Sequence, residues 1–389
     1  MHYPIWKSKM NPSVHQADMQ FYSTRNSPIS MSIQGKNVLN VNFLNITIFN
    51  ITFDNQVLFN IVCTDQSDYI IINNFHVKNC LFTNSTLFQF QNARRRIQIE
   101  NLIIDSCEFY NSSIVRLNQV QNLLTNIIIN SMSIKDSIFN NINLINSIEK
   151  TILTINNIQI MSNQLINSKF IIFNYKFYCN DIFMKDNQLI SSQFISQISS
   201  LLLSSEIQMN NIKIRKNIIQ HFSLFATEQK QSTSQVTYLL ENLYFEDNTL
   251  SCYQEQFLIT INCHSLVIQN IFLRNTTNYR FISLLAVPFI RIQNAIYENL
   301  HQAQKVQTSS NCFSHCFSHS QLLQVSGFSN ISLNQITIKN QFSIDQSIIS
   351  IQSNPLITLN SNDYIQITNV EFMGNMLLKQ NLGIFFLQF

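Results

Sequence analysis

The chain repeats one phrase: apolar, any, apolar, any, amide, apolar, any, apolar. It appears as Val41, Phe43, Asn45, Ile46, Ile48, again as Ile70, Ile72, Asn74, Phe75, Val77, and last as Ile365, Ile367, Asn369, Val370, Phe372. Between these, the amide position is held by Asn101, Ser131, Asn157, Asp181, Asn211, Asn242, Asn270, Asn294 and Gln335. Alternation with period two puts one set of side chains on one face of a strand, so the residue that breaks the alternation must be a bend. Asn suits it, because a short amide tolerates the left-handed backbone region that most other residues avoid. Stacked at the strand spacing, such amides can hydrogen-bond up a column, and twelve occurrences about 29 residues apart describe stacked coils.

The rest of each repeat is regular too. Six places after the amide stand Cys80, Cys107, Ser137, Asn163, Asn187, Asn217 and Asn248, and eight places after it Phe82, Phe109, Phe139, Leu165, Leu189, Ile219 and Leu250. Eleven places after it Ser85, Ser112, Ser168 and Ser192 align, followed at thirteen by Leu87, Ile114, Leu144, Phe170, Phe194 and Leu224. These define a third inward-facing strand. The fold expected is all-β, a right-handed parallel β-helix of about twelve coils of three short strands, each pairing with its copy in the next coil. About seven inward apolar side chains per coil, at roughly 1.5 to 3 kcal/mol each before entropy is subtracted, suffice to hold it. A leucine-rich repeat has a similar alternation, but its Asn lies one place later and its convex side usually needs helical turns.

The pattern fails in three places. Residues 1–36 lack it and read as an irregular or disordered lead or cap, and 37–389 as the β-helix. Loops are inserted at about 227–235 and 301–321, and the last strand has no polar segment after it, which suggests a module of a longer protein.

The repeated phrase from Asn45 to Asn369 resembles the pectin-lyase-like right-handed parallel β-helices, and more narrowly the large Asn- and Ile-rich surface proteins of ciliates. The resemblance implies a cell-surface or extracellular location as part of a longer protein. It does not carry over the enzymatic branch, because the N-T-D, D-D, G-H-G and R-I-K signatures of polygalacturonases are missing.

Composition narrows the chemistry. Charged residues are 12% of the chain, against roughly 25% in ordinary soluble proteins, and the net charge of +3 is too small and scattered for a nucleic-acid partner. No segment reaches the ~18 apolar residues of a membrane span, and no secretory signal is visible. The densest acidic group is Glu241, Glu246 and Asp247, then Asp65 and Asp68; both read as solvated strand-edge charges. The duplicated CFSH at Cys312, His315, Cys316 and His319 offers zinc-ligand types, but four ligands along one helix cannot close a single tetrahedron, and a tandem duplication in a tolerant loop is the simpler reading. Cys80 and Cys107 share a register one coil apart, where parallel side chains suit two buried free thiols. Catalytic residues and cofactors are therefore not assigned. The chain reads as a structural or adhesive module whose partners are extended polysaccharide or other surface proteins. The alternative is a divergent or degenerate polysaccharide lyase or glycoside hydrolase of the same fold.

Overall fold

The computed structural model describes residues 40–62, 69–91, 96–118, 124–147, 150–197, 205–227, 236–250, 258–276, 280–285, 287–298, 321–340, 342–343, 347–352, 364–377 and 385–388, with short strands at 13–14, 20–22 and 31–34. They form two compact units, Met1–Ile182 with Ile195–Ser200, and Phe183–Phe194 with Leu201–Phe389.

In the first unit a long sheet is built from Asn40–Phe49, Tyr69–Lys78, Arg96–Asp105, Thr125–Lys135 and Thr151–Met161, each parallel to the next. A short sheet follows the same order through Thr52–Asp54, Leu81–Thr83, Glu108–Tyr110, Ile138–Asn140 and Gln164–Ile166. A third sheet runs through Val57–Val62, Thr86–Gln91, Ser113–Asn118, Asn143–Ser147 and Lys169–Phe173. Three parallel sheets visited in turn, with every strand beside its counterpart one coil on, define a right-handed parallel β-helix.

The second unit repeats the scheme. Its long sheet is Ser205–Arg215, Val236–Glu246, Ser265–Arg274, Phe289–Glu298, Asn330–Lys339 and Tyr364–Met373. Its third sheet runs from Ser223–Thr227 through Ile259–Ile261, Arg280–Leu285, Gln321–Ser326 and Ile349–Gln352 to Phe385–Gln388. Between Ser265–Arg274 and Arg280–Leu285 no short-sheet strand occurs among the described residues, and there the repeat shrinks to 24 residues, from Asn270 to Asn294.

The long strands differ from the short ones expected, running ten or eleven residues through the bend. The reason lies in the register. Asn73 pairs with Glu100 and Phe75 with Leu102, while Asn74 and Asn101 are skipped, so pairing resumes in step on both sides and the bend is a kink within one strand. The segment 1–36, expected to be a lead or cap, contributes strands of its own. Ser13–Val14 and Gln20–Tyr22 pair with Asn40–Phe49, and Met31–Gln34 with Val57–Val62.

Inward positions stack in files. Phe53, Phe82, Phe109 and Phe139 are buried one above another, with ring centroids 4.6, 4.5 and 5.2 Å apart and near-parallel planes. Identical rings at each level pack without gaps because the coils rise by one strand spacing, ~4.8 Å. The return from the third sheet to the next long strand is as brief as residues 174–175, and the spacing from bend to bend varies from 24 residues, Asn270 to Asn294, to 41, Asn294 to Gln335.

The inserted stretches lie outside the described residues, apart from the strand ends Thr227 and Gln321. So do Asp65, Asp68, Cys312, His315, Cys316 and His319.

Candidate functional site

All twelve phrase positions adopt left-handed backbone, with φ from 52° at Asn101 to 63° at Ser131. Their side chains make a ladder in pieces. Asn74 Nδ2 donates to Asn45 Oδ1 at 2.9 Å, and Asn101 Nδ2 to Asn74 Oδ1 at 3.0 Å. In the second unit, Asn270 donates to Asn242 at 2.9 Å and Asn294 to Asn270 at 3.0 Å.

Elsewhere the bond moves one place back. Ser131 has no amide to span the gap, and there the file runs Asn130, Asn156, Asn180, at 2.9 and 3.1 Å. Likewise Asn242 Nδ2 reaches Asn210 Oδ1 at 2.7 Å, beside the bend residue Asn211, and Asn369 Nδ2 reaches Asn334 Oδ1 at 3.0 Å beside Gln335.

Two further corners, present in most of the described coils, escape the sequence reading. Five and ten places after the first bend, φ is again positive, as at Asn79 and Asn84, Ser106 and Asn111, Asp136 and Asn141, and Lys216 and His221. The spacing Asn45, Asn50, Asn55, then Asn74, Asn79, Asn84, was the available signal.

The small polar residue after each of these corners now acquires a role. Its backbone N–H has turned out of the sheet and needs an acceptor, which the equivalent side chain of the next coil supplies. Cys80 N–H donates to Cys107 Sγ at 3.5 Å, Cys107 N–H to Ser137 Oγ at 3.0 Å, and Ser137 N–H to Asn163 Oδ1 at 2.9 Å. In the second unit, Asn187 N–H donates to Asn217 Oδ1 and Asn217 N–H to Asn248 Oδ1, at 2.9 and 3.0 Å. The third corner uses serine: Ser85 N–H donates to Ser112 Oγ at 3.0 Å, and the Ser112 hydroxyl donates to Tyr110 O at 2.7 Å.

The cysteines fit this structural role. Cys80, Cys107, Cys179 and Cys263 are buried free thiols. Hydrogen bonding to the Cys80 sulfur, with burial, pushes the Cys107 thiol up, and burial does the same for Cys179 and Cys263. The Cys80 thiol is lowered by the hydrogen bond it shares with Cys107, but it is buried like the other three, and a nucleophile requires both a lowered value and access.

The acidic group is drawn into a charge file. Arg215 Nε lies 3.6 Å from Glu246 and 3.7 Å from Asp247, and Arg274 Nε lies 3.9 Å from Glu298. Lys78 meets Asp105 at 3.2 Å in the first unit. Glu241 stands apart, before the Asn242 bend and opposite Gln269 in the next strand. Among the described residues, no three His, Cys, Asp or Glu side chains are grouped to hold a metal. No helix among them is long and apolar enough to cross a membrane.

What offers itself for binding is a groove of about 410 Å³ on the outer face of the second unit's long sheet. It crosses four strands. Ser265, Phe289, Asn330 and Tyr364 form one outward file, and Val267, Arg291, Ser332 and Gln366 the file beside it, with Asn334 and Thr368 along a margin. Phe289 and Tyr364 are 42% and 52% exposed, among the exposed large apolar side chains of the described residues. Several side chains are already fixed. His264 meets the Phe289 ring edge-on with centroids 5.3 Å apart, Arg291 Nη2 donates to Gln293 Oε1 at 3.0 Å, and Asn330 Oδ1 accepts the Tyr364 N–H at 3.2 Å. The Thr368 hydroxyl donates to Asn334 Oδ1 at 3.0 Å. Among the described residues the groove offers aromatic rings, hydroxyls, amides and one guanidinium.

The coil architecture places the chain among right-handed parallel β-helix proteins. No protein-family model matches it, and no match is found among curated proteins.

Proposed function

We propose that the chain is a non-enzymatic adhesive module of a surface or secreted protein, and that it holds an extended polysaccharide in the groove across the strands from Ser265–Arg274 to Tyr364–Met373. The observation that carries this is the lining. Exposed Phe289 and Tyr364 rings stand among Ser265, Asn330, Ser332 and Gln366. Sugars present apolar C–H faces and a rim of hydroxyls, which such a mixture matches. The groove is open and crosses successive coils, so a polymer can lie along it without a free end. The resemblance of the repeated phrase to pectin-lyase-like β-helices, and to the Asn- and Ile-rich ciliate surface proteins, supports the same setting.

A glycan array probed with the folded chain tests this. Retention of at least one extended polysaccharide is expected, with loss of binding in Ser332→Trp, which fills the groove. Retention of none would remove the proposal. Release of unsaturated or reducing sugar ends from a bound polymer would replace it with the lyase or hydrolase reading.

A further inference from the structure

We infer that the groove selects a β-1,4-linked glycan whose successive sugars are turned by half a turn. This rests on the polysaccharide-binding reading and names the polymer. The argument comes from register. Phe289 pairs with Asn330, and Asn330 with Tyr364, so the two exposed rings occupy one outward file with a single polar residue between them. Two strand spacings separate them, ~9.6 Å along the groove.

In a chain with a two-fold screw, each sugar is flipped relative to its neighbours, and the same ring face returns at every second residue. That return matches an aromatic at every second coil. The sugar over Phe289 and the next but one over Tyr364 each lay a C–H face on a ring. The flipped sugar between them lays its opposite face over Asn330, and its equatorial hydroxyls point sideways to the neighbouring file of Arg291 and Ser332. A polymer that winds as an open helix, such as a β-1,3-glucan or an α-1,4-glucan, presents a different face at each position and cannot cover both rings at once. Neighbouring side chains serve this spacing. His264 packs against Phe289 from one side, and Asn330 Oδ1 accepts the backbone N–H of Tyr364.

Titration calorimetry with four hexasaccharides tests the inference: cellohexaose, chitohexaose, laminarihexaose and maltohexaose. At least one of the first two is expected to bind about tenfold more tightly than either of the last two. Phe289→Ala and Tyr364→Ala are each expected to weaken that binding by about tenfold, while Tyr364→Phe keeps it. Phe289→Leu, which keeps apolar bulk without a flat face, is expected to behave as Phe289→Ala, and far-UV circular dichroism checks that each variant folds. Equal or tighter binding of laminarihexaose or maltohexaose would overturn the inference while polysaccharide binding stands. So would unchanged affinity in folded Phe289→Ala and Tyr364→Ala, or binding on the array confined to polymers of other linkage. Failure of every oligosaccharide and every arrayed polymer would instead remove the underlying reading.

Discussion

Asn101 donates its amide hydrogen to Asn74 at the one level where the backbones of their two strands do not pair. The side chain thus takes over from the main chain where the left-handed bend interrupts it. This gives Asn two duties at the position, a conformational one and a bonding one.

Replacing Asn74 separates them. Asn74→Ala loses the left-handed preference and both ladder bonds, and is expected to destabilise the chain by about 2 kcal/mol. Asn74→Gly restores the conformation alone and is expected to cost roughly half as much. Midpoints of urea unfolding for the two variants give the comparison. Equal midpoints would show that the backbone preference contributes nothing.

Asn217 tests the inner file. Its Oδ1 accepts the Asn187 N–H, and its Nδ2 donates to the carbonyls of Met184 and Arg215 at 3.2 and 3.0 Å. Asn217→Leu strands a buried donor and a buried acceptor in adjoining coils. A loss of roughly 3 kcal/mol or more is expected, read as a fall in the unfolding midpoint. Asn217→Ser, which puts an accepting hydroxyl at the site as Ser137 does, is expected to lose less.

Alkaline pH acts on the buried acids. Burial raises Cys179 and Cys263 above their ordinary value of 9.0, and Tyr238 and Tyr297 above 10.0. The folded chain therefore holds these protons more tightly than the unfolded one. Their stabilising effect is complete below pH 9.0 and declines as pH rises beyond it, at about 1.4 kcal/mol per pH unit for each group whose unfolded form has ionised. Unfolding midpoints should be insensitive to these groups near pH 7 and fall between pH 9 and 11. At pH 8, iodoacetamide should label the four described thiols only after denaturation.

The charge file sets register more than stability. Glu246 lies opposite Arg215 on one side and Arg274 on the other. Glu246→Lys brings like charges together in three successive strands and is expected to cost about 1 kcal/mol in dilute buffer. Near 1 M salt the Debye length is ~3 Å and most of that loss should disappear, which unfolding at two salt concentrations checks.

How far the sequence could be read follows from what each position must satisfy. Inward residues such as Ile72, Phe75 and Phe82 sit in a file that accepts only apolar side chains, so their period is plain. The first corner is equally plain, because Asn dominates it. The second and third corners accept Ser, Asp, Lys and even His, since they face solvent and ask only for a tolerable φ; Ser106, Asp136, Lys216 and His221 hide the five-residue spacing. The groove was not legible at all. Phe289, Arg291 and Tyr364 are outward residues on different coils, free to vary without cost to the fold, and only the pairing of strands reveals that they adjoin.

The uneven spacing of the bends carries a consequence for ancestry. Every described long strand keeps its kink, but the interval from one bend to the next varies from 24 residues, Asn270 to Asn294, to 41, Asn294 to Gln335. Length changes among descendants should therefore accumulate in the passages between strands, letting the outer decoration diversify quickly while the wound scaffold underneath is inherited almost untouched.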